Sequence, residues 1–392
     1  MRAVTRGAAI LVGTAVGLSL TTPAFAAPAT GEILYADSAT AIGGSYVVVL
    51  KNGQADQARA DSLTKRYGGT VSRVFGHAVE GWTAKLSARQ AARLAADPAV
   101  AAVEADQTIR IAATQTSAPW GLDRIDQRAL PLSTTYTYGP SNGVTVYVVD
   151  TGITVTHQDF GGRASYGYDA VDGDNIAQDG NGHGTFVAGV AVGSTYGVAK
   201  SANVVGVRVL DDNGSGTTAG VIAGIDWVTA NAAPGRSVAN LSLGGGASST
   251  LDAAVRRSIT AGIPYTIAAG NSGVNAGSTS PARVTEALTV GATSSTDAKA
   301  SWSNYGSVLD LFAPGVSITS AWRTGNTATY TGSGTSFAAP HVAGAAALYL
   351  ATHPGASVSA VNAAIVNAAT TGVVTSRGSG SPNRLLHTAT LG

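Results

Sequence analysis

The sequence predicts an α/β protein whose parallel sheet is flanked by helices on both faces, preceded by a small α+β ferredoxin-like unit. Three observations support this. The texture of the chain changes near residue 112. Beyond it, continuous apolar runs alternate with Gly/Ala-rich helical stretches, as strands buried on both faces require. Before it, strand and helix signals follow in the order β-α-β-β-α-β, which suggests a small sandwich.

In the small unit, residues 45–50 form a strand-like apolar run. Residues 54–66 read as a helix ended by Gly68 and Gly69. Residues 71–75 and 80–86 are candidates for a hairpin. Ser87 is a candidate N-cap for a helix to residue 96, and 100–104 close the unit as a strand. In the large unit the strand candidates are 144–149, 203–209, 238–243, 265–269 and 287–290. Helix candidates at 183–194, 219–231, 251–260 and 336–351 accompany them. In such sheets ligands sit at the carboxyl ends of strands, where the polar motifs below fall.

Composition narrows the chemistry. The 392 residues are 44% hydrophobic and only 12% charged, which excludes a disordered polyelectrolyte. Lys+Arg 24 against Asp+Glu 23 gives a net charge of +1, so no nucleic-acid partner is expected. There is no cysteine, and the only methionine is Met1. Disulfides, cysteine nucleophiles and thiolate metal sites are thereby excluded.

Arg2 and Arg6 precede an apolar stretch at 8–20, followed by Ala24 and Ala26 at the spacing a signal peptidase reads. That stretch is too short to cross ~30 Å of hydrocarbon. The expected organisation is a signal peptide at 1–26, a second segment at 27–112 and a main domain at 113–392, secreted and without a membrane anchor once the signal is removed. Residues 27–112 carry nine Lys/Arg and eight Asp/Glu, and 113–392 carry thirteen and fifteen. Four of those fifteen, Asp169, Asp172, Asp174 and Asp179, crowd one loop.

Three motifs carry chemistry. Asp150-Thr-Gly ends an apolar strand. Aspartic proteases also use Asp-Thr-Gly, but they need two such aspartates, and no second Asp-Thr/Ser-Gly occurs in the chain. Taken alone, Asp150 is equally readable as a turn cap. His183 enters a helix between Gly182 and Gly184. Ser336, in Gly334-Thr-Ser-Phe-Ala-Ala-Pro-His341, opens an Ala-rich helix, where serine is a favoured N-cap. Backbone N–H groups at a helix start can equally stabilise an oxyanion beside a serine. A serine hydroxyl needs a base to take its proton and a carboxylate to orient that base, and the three motifs together supply all three.

The order Asp…His…Ser is that of subtilisin. Residues 113–392 resemble a subtilisin-family serine protease of the proteinase K and aqualysin branch. Further motifs carry the resemblance: 118–122, 196–200, 209–216, 242–246 and 303–306. Residues 27–112 resemble the family's inhibitory propeptide. The resemblance implies a subtilisin-like fold and a secreted, monomeric serine endopeptidase of broad specificity, made as a zymogen that cuts itself near Ala112–Ala113. It implies that Asp150 orients His183, that His183 is general base and acid, and that Ser336 forms the acyl-enzyme. Asn271 matches the family's side-chain oxyanion donor. Ser242, Leu243 and Gly244, with Ala268, Ala269 and Gly270, match the walls of the primary specificity pocket. Gly214, Ser215 and Gly216 match the strand that pairs with peptide substrate. With no charge at its base, the pocket should prefer aromatic or aliphatic residues.

The resemblance also implies structural Ca²⁺ and no catalytic cofactor. Asp310 with the carbonyls of Thr285 and Ala287 matches one family site, and Asp169 with Asp174 a second, although a solvated acidic loop explains that cluster as well. Asp123, Asp126 and Gln127 resemble a third, with Ser133 and Thr135 where relatives have stronger ligands. Phe186 stands where close relatives usually have His, and Phe337 where they usually have Met. Two rivals remain: a catalytically silent binding protein on the same fold, and an esterase using the same nucleophile.

Overall fold

The structure, a computed structural model, describes residues 29–38, 41–107 and 113–392. The leader at 1–26 and residue 112 of the expected cleavage point lie outside the described residues. The chain divides into two compact units, with the boundary at 109/110.

The small unit is a four-stranded antiparallel sheet in the order β2-β3-β1-β4, formed by β1 (Ala41–Leu50), β2 (Thr70–Phe75), β3 (Gly81–Lys85) and β4 (Val100–Gln107). Helices α1 (Gln57–Arg66) and α2 (Ala88–Ala95) supply its apolar cover through Leu63 and Leu94. Asp56 caps α1, and Ser87 with Gln90 forms a reciprocal capping box on α2. Trp82 is fully buried and satisfies its indole N–H on the Thr64 hydroxyl at 2.8 Å.

The large unit begins with the β5 (Ala113–Thr116) and β6 (Thr135–Tyr138) ribbon around α3 (Trp120–Asp126). Next come β7 (Thr145–Asp150), β8 (Ala164–Asp169), α4 (His183–Val192), β9 (Asn203–Arg208), α5 (Thr218–Asn231) and β10 (Ser237–Leu241). They are followed by β11 (Gly245–Gly246), α6 (Ser249–Thr260), β12 (Tyr265–Ala268), β13 (Thr279–Ser280), β14 (Leu288–Thr293) and β15 (Leu311–Pro314). The hairpin of β16 (Ile318–Ala321) and β17 (Thr329–Gly332) leads into α7 (Thr335–Thr352), α8 (Val358–Ala368), β18 (Thr370–Thr371) and β19 (Arg384–Leu385).

One sheet runs β18-β19-β15-β14-β12-β10-β7-β9-β8, parallel throughout except at its β18–β19 edge. From β7 the chain builds β9 and β8 on one side, then returns to build β10, β12, β14 and β15 on the other. Strand order therefore reverses between β7 and β10, and the crevice beyond their carboxyl ends is open to a ligand. Helices α4 and α7 cover one face, with Phe186, Val190 and Ala343 in the core, while α5 and α6 cover the other with Ile225 and Val255. Both α4 and α7 are apolar all round, as helices buried between layers must be.

The fold is the α/β sheet with helices on both faces that the sequence predicts, and β8, β15 and α8 are among the elements the sequence does not declare. β8 alternates polar and apolar residues, because as an edge strand it buries few side chains. β15 has four residues and ends in Pro314, too short a run to signal a strand. α8 follows the Pro354-Gly355 turn that ends α7 and is capped by Ser357. β10 ends at Leu241, so Ser242 and Leu243 belong to the loop beyond the strand.

Candidate active site

Asp150 is the last residue of β7, a strand buried from Val146 onward, so its carboxylate enters the crevice from below. The side chain is fully buried, and its Oδ1 accepts the Thr151 N–H at 2.8 Å. The same oxygen accepts Nδ1–H of His183 at 2.7 Å, across 33 residues of sequence. This bond assigns the proton to Nδ1 and leaves Nε2 with a free lone pair. Burial alone would lower the His183 pKa, but the Asp150 charge and hydrogen bond outweigh it, with a further contribution from Asp179. The imidazole is held above its ordinary value as a result.

Ser336 is the second residue of α7, and Gly334 rather than Ser336 takes the N-cap position. The serine side chain is therefore free of the capping role that the sequence also allowed. Its hydroxyl donates to the Ser242 carbonyl at 3.0 Å. Pro340 lies four residues on and has no N–H to give the Ser336 carbonyl. The Ser242 hydroxyl donates there instead at 2.7 Å. Behind it, Asn240 Nδ2 donates to Ser242 Oγ at 2.8 Å, and the Thr266 hydroxyl donates to Asn240 Oδ1 at 3.0 Å. This buried chain ties the nucleophile-bearing helix to β10 and β12.

Asn271 follows β12 by three residues. Its Oδ1 accepts both the N–H and the hydroxyl of Thr335, each at 2.8 Å. Two donors on one oxygen fix the amide orientation and leave Nδ2 to face outward. Nδ2 and the Ser336 N–H both lie 3.6 Å from the point a Gly334 Cβ would occupy, so no side chain stands between them. Neither donor has a partner among the described residues. The loop also requires glycine at Gly270, where φ is +101° and a Cβ would lie 2.4 Å from Asn304 Nδ2.

Two cavities open from this point. One of about 390 Å³ is walled by Ser242, Leu243, Gly244, Ala268, Ala269 and Gly270, with Asn271 and Ser336 at its mouth. The other, of about 560 Å³, runs from His183 along Gly214, Ser215 and Gly216 to Leu251. Neither is lined by Asp, Glu, Lys or Arg. Gly214–Gly216 are exposed and form no strand in the structure, with Asp211 accepting the N–H groups of Asn213 and Ser215 at 2.9 Å each.

Residues 141–386 match the Subtilase family, and residues 45–112 match Peptidase inhibitor I9. The chain belongs to the subtilase family. Over 388 residues it is 50% identical to an extracellular serine proteinase of Thermus sp. (strain Rt41A), covering 93% of this chain and 94% of that one. It is 49% identical to alkaline serine exoprotease A of Vibrio alginolyticus, over 93% of this chain and 70% of that one. Among solved structures, a cold adapted subtilisin-like serine proteinase superposes with a TM-score of 0.68 at 52% identity, over 70% of this chain and 99% of that one. The chain is thus a secreted subtilisin-like serine proteinase with an I9 inhibitor segment. Among the described residues no helix is long and apolar enough to cross a membrane.

Subtilases commonly bind structural calcium, and the three sequence candidates in this subtilase differ in fit. Asp310 is mostly buried, and its Oδ2 accepts one N–H, from Thr289 at 2.8 Å. Burial pushes its carboxyl up to about 6 despite that bond and the charge of Arg384. A desolvated carboxylate with few donors of its own suits a hard cation. At Asp169 a cation is already supplied by the chain: Arg208 donates to Asp169 at 2.8 Å, to Asp172 at 2.5 Å and to Asp212 at 2.9 Å. Asp169 Oδ1 is further occupied by the N–H groups of Val171 and Asp172, and Asp174 Oδ1 by that of Ile176. Asp123 is spent on Ser133 and Thr134, Asp126 on the Thr137 N–H, and the Gln127 amide on the Ala129 and Pro131 carbonyls.

Sequence inspection names Asp179, Phe186 and Phe337 without giving them a role and passes over Thr335, Trp322 and Tyr330, all of which organise this subtilase's site. Thr335 fixes Asn271, and Thr151 and Asp179 hold the start of α4. Phe337 and Phe186 pack as tilted rings with centroids 4.0 Å apart, and Phe337 lies 5.6 Å from the His183 ring. Trp322 and Tyr330 complete this aromatic wall, with centroids 4.6 Å apart. Thr335, Phe337 and Thr151 carry a signal, each lying beside Ser336 or Asp150; the meetings of Phe186 with Phe337 and of Asp179 with Thr151 join distant segments.

Proposed function

We propose that this subtilase is an endopeptidase of broad specificity that works through Asp150, His183 and Ser336. The observation that carries the proposal is the 2.7 Å bond from His183 to Asp150 beside a serine at the start of α7. His183 Nε2 takes the Ser336 proton as Oγ attacks the scissile carbonyl. The Asp150 carboxylate stabilises the imidazolium so formed. Charge that develops on the carbonyl oxygen is met by the Asn271 Nδ2–H and the Ser336 N–H, oriented before substrate arrives. His183 then gives the proton to the leaving amine, and water resolves the acyl-enzyme by the same route.

The uncharged, Gly/Ala-walled cavity favours aromatic or aliphatic side chains before the cut. Gly214–Gly216 offer backbone to an extended peptide, which makes recognition tolerant of side-chain identity. The domain plan is signal 1–26, inhibitor 27–112 and monomeric protease 113–392, separated by self-cleavage near 112/113. Asp310 with the Thr285 and Ala287 carbonyls holds one Ca²⁺, whose charge offsets the buried carboxylate.

A Ser336→Ala precursor tests the proposal: it should accumulate uncut and digest no casein, whereas a secreted form cut at 112/113 would contradict self-processing. Chelation should leave initial activity intact and speed heat inactivation. Equal inactivation rates with and without chelator would remove the calcium assignment.

A further inference from the structure

Of the four carboxylates in the acidic loop before His183, Asp169 and Asp172 pair with Arg208, and Asp174 is exposed. Asp179 differs from all three. It is 3% exposed, and no ion pair reaches it among the described residues. Its Oδ1 accepts the N–H groups of Asn181 at 3.0 Å and Gly182 at 2.8 Å, and the Thr151 hydroxyl at 2.9 Å. Its Oδ2 accepts the N–H of Thr185 at 2.9 Å and the Thr185 hydroxyl at 2.5 Å. All five partners are donors, so the group functions as an anion.

Helix α4 needs such a group because it cannot cap itself. Its N-cap is Gly182, at φ 115°, with no side chain to offer. The first-turn donors are met from elsewhere: His183 N–H by Asn181 Oδ1 at 3.2 Å, Gly184 N–H by Thr151 Oγ1 at 2.9 Å, and Thr185 N–H by Asp179. Thr151 immediately follows Asp150. One carboxylate therefore clamps the turn that carries His183 to the strand end that carries Asp150. It also sets negative charge at the positive end of the helix.

We propose that Asp179 is a positioning residue for the Asp150–His183 pair, locking the first turn of α4 to the end of β7 and adding negative charge beside the imidazole. The proposal rests on His183 being the general base. The charged groups around His183 are few. Asp150 faces it from β7 and Asp179 from the loop before α4. In the loop after β9, Asp212 lies against Gly180 but is paired with Arg208. After β16, Arg323 donates to the Asn181 carbonyl at 2.9 Å. From α7 comes only the Phe337 ring.

The test is the pH profile of kcat and kcat/KM for the secreted mature enzyme on an uncharged peptide substrate. Asp179→Asn keeps the shape, removes the charge and turns two acceptor sites into one. Its kcat should fall about tenfold through misplacement of His183, with KM within about twofold. The acid-limb midpoint should drop by roughly half a unit, because the imidazolium loses a stabilising charge. Thr151→Val breaks the clamp but keeps the charge, so kcat should fall while the midpoint stays. An Asp179→Asn enzyme with the wild-type midpoint, or with its whole loss in KM, overturns the proposal. If Asp179→Asn is not secreted, Thr151→Val decides, and unchanged kcat there overturns it too. Ser336→Ala in the same assay separates the two levels. Persisting activity would sink the triad itself, whereas an inactive Ser336→Ala beside a wild-type-like Asp179→Asn would sink only the role of Asp179.

Discussion

Helices α4 and α7 bring the base and the nucleophile to the same crevice, yet their N-termini are built in opposite ways. At α4 the donors of the first turn are consumed by Asn181, Thr151 and Asp179. At α7 the Thr335 N–H is taken by Asn271 and the Phe337 N–H by the Gly334 carbonyl at 3.0 Å, while the Ser336 N–H between them has no partner among the described residues. The difference follows from what each helix must do. A base has to be held in one orientation against its carboxylate, so every loose donor near it is tied down. A nucleophile helix has to receive charge that exists only during reaction, so one donor is kept open and its neighbours are ordered around it.

The contrast can be broken most deeply at the open end. Asn271→Ala removes one of two donors aimed at the oxyanion and should lower kcat by about 10²–10³, the loss subtilisin shows for its own asparagine, with KM little changed. Steady-state kinetics on a peptide anilide checks this, and a loss mainly in KM would mean that Asn271 binds substrate without favouring the transition state. A step further back, Thr335→Val keeps the N–H to Asn271 but removes the hydroxyl that shares the task and accepts the Gly270 N–H at 3.0 Å. We expect about a tenfold fall in kcat, the worth of one ordering hydrogen bond. Full activity would show that the backbone N–H alone fixes the amide. The smallest expected effect is none. Phe337, beside the nucleophile, is not oxidisable as a thioether is, and the only methionine is Met1. Mild peroxide should leave the activity of the mature enzyme unchanged, and rapid inactivation would show another oxidisable group on which the site depends.

The same contrast explains how much of the molecule the sequence reveals. Asp150, His183 and Ser336 are legible because each ends or begins an element within a short glycine-flanked motif. The parallel sheet is legible because its inner strands are apolar on both faces. What holds the base is not legible: Thr151 and Asp179 are 28 residues apart and meet only when β7 and the loop before α4 close on each other. In the sequence Asp179 is one more carboxylate in an acidic run, indistinguishable from Asp172 or Asp174. Likewise the sequence marks Phe186 and Phe337 only as departures from relatives, and their contact arises when α4 and α7 pack, with Phe186 edge-on to Trp322 and Tyr330. The Asp169 loop is ambiguous in the sequence, because the cation that meets Asp169 in the fold is Arg208, on a strand 39 residues away. Short motifs record chemistry, whereas support for that chemistry is distributed over segments that only the fold brings together.

The most direct test of the central claim is to label the mature enzyme with a serine-directed fluorophosphonate and follow casein hydrolysis as the label is incorporated. The account predicts one adduct, on the peptide containing Ser336, with activity lost in proportion to labelling and labelling abolished in His183→Ala. Activity that survives full labelling of Ser336, or is lost with the label on another residue, would contradict it.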